Sequence, residues 1–286
     1  MSGMNENGGV VEGFRQDRRW LVAVLIVLFG VSAADAADLT AGTATEEAID
    51  TNIGAAWEVS VAPFYGWIPG MKGSVAVLNQ PPADINVTPI DILQNLDGFL
   101  EVLEGIYFGA GHVRRGDFGF AWDVVYMDIF SANEIGGDFV SGTLDVGFTQ
   151  TMATLLGTYR VHESPTAYVD ALAGARISDI DLNVGITLGP GGGSASDGDT
   201  WVDPMIGFKG RKYLSDRYYI DGWAMIGGFG AASDLVWDVN GVFGYEVKDW
   251  LSAYAGFRAT GVDYQNGAFK WDVTMYGPVV GFDLRF

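Results

Sequence analysis

The residues best suited to catalysis in this chain are two histidines, His112 and His162. A histidine moves protons when a carboxylate or hydroxyl lies within hydrogen-bond reach. His162-Glu163-Ser164 holds all three types, but consecutive residues cannot face one another as a relay does. Both histidines precede short turn sequences, Arg114-Arg-Gly-Asp117 and His162-Glu-Ser-Pro165. The turn reading is the stronger one, and no catalytic residue is expected. Asp197, Asp199 and Asp203 are oxygen ligands of the kind calcium takes, yet aspartate is also an ordinary loop residue. No metal or cofactor is assigned to them. The glycines of 189–193 lack the Gly-Lys-Ser/Thr ending of a phosphate loop. Arg115-Gly-Asp117 reads as a tight turn.

A third charged group has a different spacing. Glu58, Asp123, Asp145, Asp170, Arg176, Asp203, Lys209, Arg211, Asp238, Glu246 and Arg258 alternate with apolar or small residues. A strand sends successive side chains to opposite faces, so such residues line one face while the apolar set lines the other. The final eleven residues show the pattern most fully. Tyr276, Pro278, Val280, Phe282, Leu284 and Phe286 fall on one face, and Gly277, Val279, Gly281, Asp283 and Arg285 on the other. An amphipathic strand of this length suits a transmembrane barrel, with lipid outside and a polar lumen. Tyr276, Phe282, Leu284 and Phe286 also resemble the C-terminal signal read by the outer-membrane assembly machinery, an expected partner.

The elements needed to position the charged set follow along the chain. The first strand runs from Trp57 to Trp67, with Trp57, Val59, Val61, Tyr65 and Trp67 outward. Pro63 in the first strand and Pro278 in the last mark a seam, because proline belongs at edges and bulges. Met71–Val77 and Ile85–Val87 form a short hairpin. Thr88-Pro89-Ile90-Asp91 starts a helix with a capping box, and Ile92, Leu93 and Leu96 give it an apolar stripe. A small cap over the outer mouth is expected there. A clean hairpin surrounds Arg114–Asp117. Ser131–Asp138 reads as a polar loop, and a long strand spans Val140–Val161, with Leu144, Val146 and Phe148 outward and a bulge near Gln150. Gly189–Asp199 reads as a glycine-rich loop. The total is about ten strands, with eight or twelve as alternatives. Short turns at one end and longer loops at the other suit an up-and-down antiparallel barrel. Trp57, Trp67, Trp201, Trp237, Trp250 and Trp271 sit at strand ends, as an aromatic girdle would.

The amino-terminal end agrees. Arg15, Arg18 and Arg19 precede the apolar run 21–31, and Ala34-Asp35-Ala36 fits a cleavage site, so 1–36 is read as a Sec-type signal peptide. Residues 37–55 are read as a disordered periplasmic leader, and 56–286 as the barrel. The 286 residues include no cysteine, 41 glycines and nine tryptophans. The formal charge is −20. Three arginines and four acids lie in 1–36, which leaves −19 after cleavage. A chain this acidic is not a nucleic-acid binder.

Several stretches together resemble a proteobacterial family of small, porin-like outer-membrane barrel proteins. They are Trp57…Pro63-Phe-Tyr-Gly-Trp67, Asp91-Ile-Leu-Gln-Asn-Leu96, Trp201-Val-Asp-Pro204…Gly207, Gly227-Gly-Phe-Gly230…Ser233-Asp-Leu-Val-Trp237, Ala255-Gly-Phe-Arg258 and Gly277-Pro278…Gly281…Phe286. The resemblance implies a barrel in contact with outer-membrane lipid and lipopolysaccharide. It brings no substrate, cofactor or catalytic residue. A ten-stranded barrel is narrow, and buried charges need partners. The expected role is therefore structural or surface-interacting, with a charge-plugged lumen. The alternatives are a small cation-preferring pore and a lipid A-modifying enzyme. Oligomeric state is not readable.

Overall fold

The computed structural model describes residues 56–77, 80–137, 140–188 and 191–286. Residues 1–55, read above as a signal peptide and leader, lie outside the described residues. So do residues 78–79, 138–139 and 189–190.

The chain is a closed, antiparallel, up-and-down β-barrel. Its first stave is made of three short pieces in line, β1 (Trp57–Ala62), β2 (Tyr65–Trp67) and β3 (Gly70–Ala76). A short strand, β4 (Ala83–Val87), turns back on β3, pairing Met71 with Val87 and Val75 with Ala83. Two helices follow, α1 (Pro89–Gln94) and α2 (Leu96–Val102). Nine long strands complete the wall: β5 (Leu103–Arg115), β6 (Phe118–Gly137), β7 (Val140–Ser164), β8 (Ala167–Leu188), β9 (Gly191–Tyr213), β10 (Tyr218–Gly228), β11 (Leu235–Lys248), β12 (Leu251–Asn266) and β13 (Phe269–Arg285). Each pairs with the next, and β13 returns to β1, β2 and β3. With β1–β3 counted as one, the wall has ten staves, the expected number.

One end of the barrel carries the tight turns at 116–117, 165–166, 214–217 and 249–250, together with Trp57 and Phe286. We call it the turn end and the opposite end the loop end. Ser131–Asp138 and Gly189–Asp199, expected as loops, are strand almost to their tips. Gly137 pairs with Val140, and Leu188 with Gly191. These hairpins continue past the end of β10, whose last ladder pair with β9 is Gly227–Met205. There both faces meet water, so the apolar alternation that marks a half-buried strand is lost and the composition reads as loop.

The seam departs from expectation in its phase. From Val61 to Tyr65 is four residues, whereas their partners Leu284 and Gly281 are three apart. The extra residue, beside Pro63, is a β-bulge, and one extra residue exchanges the two faces. Trp57 stays outward, but Tyr65 and Trp67 turn into the lumen, each 3 % exposed. Trp201 and Trp271 also face inward at 5 % and 4 %, on the face shared with Asp203 and Val273. Three of the six proposed girdle tryptophans therefore belong to the interior. Trp57 and Trp250 are exposed at the turn end, and Trp237 lies outward over Gly261.

Two further expectations on β7 fail. Phe148 stacks on Trp271 at 5.6 Å inside the barrel, so even-numbered residues face in. Asp145 consequently lies on the outer face, beside Gly185, and does not line the lumen. The β6–β7 ladder runs unbroken through Gln150, and the bulge occurs instead between Arg160 and His162 against β8.

The helices form as their caps dictate. Thr88 Oγ1 accepts from Asp91 N at 3.2 Å, and Asp91 Oδ2 accepts from Thr88 N at 2.8 Å. Asp91 Oδ2 also accepts from Thr88 Oγ1 at 2.7 Å, and that bond together with the one from Thr88 N holds the Asp91 carboxyl below its ordinary pKa. Neither helix has a buried residue. α1 touches β3 and β13, and α2 touches β5 and β6. They span the stretch of wall where β4, not β5, pairs with the first stave, and do not form a buried lid. Ile90, Leu93, Leu96 and Leu100 are left exposed.

Candidate functional site

At mid-height four charged side chains meet inside the wall. Arg176 on β8 donates from Nη2 to Asp238 Oδ2 on β11 at 2.6 Å. Its other nitrogens donate to Thr154 Oγ1 at 2.9 Å and Thr260 Oγ1 at 3.0 Å. Arg258 on β12 donates to Asp238 Oδ2 at 2.8 Å and to Asp123 Oδ1, on β6, at 2.6 Å. Its Nη1 reaches Tyr65 OH at 2.6 Å, and Tyr65 in turn donates to Asp123 Oδ2 at 2.9 Å. Trp223 Nε1 closes the set on Asp238 Oδ1 at 2.7 Å.

Two arginines and two aspartates balance in charge. Arg176 and Asp238 are 0 % exposed, Arg258 1 % and Asp123 8 %. Buried ions persist only when paired and hydrogen-bonded, and here both arginines donate from every nitrogen or along both edges. Trp67 and Trp223 lie 5.2 and 5.3 Å from the Arg258 guanidinium, adding cation–π contact. Alternation along β6, β8, β11 and β12 made the four charged residues legible. Tyr65, Trp67, Thr154 and Thr260 were not. Pro63 is the signal that could have placed the first two.

Towards the loop end the interior becomes apolar and aromatic. Trp201 and Tyr264 stack face to face, with ring centroids 3.9 Å apart and planes 3° from parallel, beside Phe269 and Trp271. The lumen is thus not polar throughout. Asp203 accepts from Trp201 Nε1 at 3.0 Å, Ser233 N at 2.8 Å and Ser233 Oγ at 2.7 Å. It pins the 229–234 loop into the barrel. Asp199 accepts from Tyr264 OH at 2.7 Å and Asn266 Nδ2 at 2.8 Å. Asp197, Asp199 and Asp203 do not converge, since each turns to different donors.

Towards the turn end the remaining lumen charges pair near the rim. Glu58 meets Arg114 at 2.6 Å, and Arg211 meets Asp221 at 2.8 Å. Asp170 holds Arg160, and Glu246 holds Arg285 and, at 2.8 Å, Tyr213 OH. Lys209 also points inward but makes no hydrogen bond or ion pair among the described residues. His112 Nε2 lies 3.1 Å from Thr158 Oγ1. His162 sits opposite Val169 in the ladder, Glu163 pairs with Arg160, and Ser164 Oγ accepts from Ala167 N at 3.0 Å in the turn. The His162-Glu163-Ser164 tripeptide therefore builds a turn and not a relay.

No protein-family profile and no curated protein matches the chain. Among solved structures, the chain is similar to the outer membrane protease OmpT from Escherichia coli, at 11 % identity over 80 % of this chain and 96 % of that one, with a TM-score of 0.46. The translocator domain of autotransporter NalP from Neisseria meningitidis is similar at 11 % identity over 82 % and 89 %, with a TM-score of 0.37. The attachment invasion locus protein Ail of Yersinia pestis follows at 11 % identity over 80 % and 97 %, with a TM-score of 0.30. The barrel fold of this chain rests on its own ring of paired strands.

Proposed function

We propose that the chain is an integral outer-membrane barrel with its lumen closed at mid-height, acting in a structural or surface-interaction role without chemistry of its own. Membrane insertion is supported by the outer face. Phe120, Ile177, Ile206, Phe208, Ile226, Val239, Phe243, Phe257, Val280 and Phe282 are all 37 % exposed or more. In water so broad an apolar band would be a liability, whereas lipid is its natural solvent. The ladder closes the ring through β1 at the turn end, and α1 and α2 cover the gap between β4 and β5 above it, which limits the backbone left open to lipid. Lipid and lipopolysaccharide are the expected surroundings, and the Phe286 strand the part offered to the assembly machinery.

The observation that carries the closed lumen is the Arg176–Asp238–Arg258–Asp123 layer. A water-filled pore keeps its lining wet, but these four residues are at most 8 % exposed and satisfy one another. A surface role draws support from β9, whose loop-end part from Gly191 to Pro204 has a backbone ladder on the β8 side alone. Such an edge can accept an added strand.

Recordings across planar bilayers test the closed lumen. The reading predicts electrical silence, and steady cation-selective conductance would replace it with the pore. Outer-membrane fractionation tests the location: a folded barrel should change gel mobility on boiling, and a soluble periplasmic fraction lacking that shift would defeat it. An altered lipid A mass spectrum on overproduction would instead favour a lipid A enzyme.

A further inference from the structure

Below the four-charge layer the lumen widens into a cavity of about 350 Å³ that opens at the turn end. That volume lies at the lower end of the range that small-molecule pockets occupy. Two features distinguish it from the rest of this acidic chain. Its lining carries six cationic side chains (arginine and lysine) against four carboxylates. Its remaining surface mixes aromatic and aliphatic residues, Trp223 and Tyr254 among them, with His112, Ser60, Thr154 and Asn240.

The polar groups facing this cavity are unevenly satisfied. The arginines are matched to carboxylates, as described above. Lys209 is not: its ammonium lies in the field of Asp170 and Asp221 but bonds to neither. Arg285 Nη2 is buried without an acceptor although its other nitrogens are paired. Lys209 Nζ stays open to the cavity, whereas Arg285 Nη2 is shut off from it; an ammonium in so enclosed a lumen gains from an anionic acceptor. The Tyr219 ring is covered by Arg211 at 4.1 Å and Arg285 at 5.6 Å, which leaves Trp223 and Tyr254 as the aromatic wall.

We propose that this cavity is a binding site for a small aromatic carboxylate entering from the turn end. The carboxylate would accept from Lys209 Nζ, and its ring would lie against Trp223 and Tyr254, both of which line the cavity and are partly exposed. The competing arrangement is internal. Asp170 stands opposite Lys209 in the β8–β9 ladder, and its Oδ2 also lacks a hydrogen bond. A Lys209–Asp170 pair would neutralise the pocket.

The full chain folded in detergent micelles is titrated with benzoate, benzylamine and inorganic phosphate, following tryptophan fluorescence. Benzoate should give a saturable change at millimolar concentration or below, with benzylamine and phosphate at least about tenfold weaker, a difference near 1.4 kcal/mol. Lys209→Met should weaken benzoate at least about tenfold, and Lys209→Arg should retain it. Benzylamine or phosphate binding as well as benzoate overturns the proposal, as does benzoate binding that ignores Lys209→Met. Absence of saturable benzoate binding assigns Lys209 to Asp170 and also overturns it. If Lys209→Met does not fold, the contrast among the three probes on the unsubstituted protein decides. None of these outcomes depends on whether the layer above conducts.

Discussion

Phe286 and Val59 exchange both backbone hydrogen bonds, Val59 N to Phe286 O at 3.1 Å and Phe286 N to Val59 O at 2.9 Å. The ring is therefore closed at the turn end by its last residue, whose side chain projects outward at 77 % exposure. Deleting Phe286 should cost more than trimming its ring. Two hydrogen bonds of about 1 kcal/mol each are lost on deletion, whereas Phe286→Ala leaves both. Urea unfolding of the barrel in vesicles should show the deletion about 2 kcal/mol less stable. Equal losses would show that the ring, not the backbone pair, secures the seam.

Arg258 holds two carboxylates at once, Asp123 and Asp238. Arg258→Met should strand a buried negative charge and destabilise the barrel by about 3–5 kcal/mol. Unfolding in denaturant measures the loss. A loss below about 1 kcal/mol would mean that water enters the layer and screens the aspartates.

Asp203 accepts from Ser233, and the loop it anchors is entered through three successive residues with positive φ, Gly228 at 82° at the end of β10, then Phe229 at 53° and Gly230 at 71°. A phenylalanine pays for that conformation. Asp203→Ala should release 229–234 and cost about 2–4 kcal/mol, because the Ser233 and Trp201 donors lose a charged acceptor. Limited proteolysis should nick this loop in the variant first. A cleavage pattern identical to the parent would show that the loop is held by other contacts.

The α1 cap predicts a pH response confined to one element. Hydrogen bonds from Thr88 lower the Asp91 pKa from 3.8, so the capping contribution is present above that value and is lost as pH falls through the lowered one. The Asp91 carboxyl should titrate below 3.8 by NMR, with the amide shifts of the α1 residues after Pro89 following it. Asp91→Asn should remove the low-pH step. A midpoint at or above 3.8 would contradict the cap.

Strand number, the α1 cap, the β3–β4 hairpin and ten of the eleven lumen charges were legible because each rests on a local rule, a period of two or a capping box. Asp145 was misplaced because the phase of β7 was set from Leu144 and Val146, apolar residues in a part of the strand beyond the end of β10. Trp201 and Trp271 were read as girdle because tryptophan at a strand end suits an interface, yet both sit on the lumen face with Asp203 and Val273. Position along a strand and the face occupied are independent, and only parity decides the second. The sharing of carboxylates among arginines was not legible, since partners such as Arg176 and Asp238 are 62 residues apart.

The extra residue beside Pro63 has a consequence for assembly. Two strands that meet without a bulge can close a ring in several offsets, each two residues apart, and each offset gives a barrel of different tilt and girth. Here the first stave is in phase with β13 below the bulge and in the opposite phase above it. A slip by two residues would set the bulge against unbroken ladder and force Tyr65 or Trp67 away from Phe108, which both rings now touch at 5.7 and 5.9 Å. One misfit residue thus limits the ring to a single circumference, and a one-residue deletion at 62–64 should yield barrels of mixed size or none.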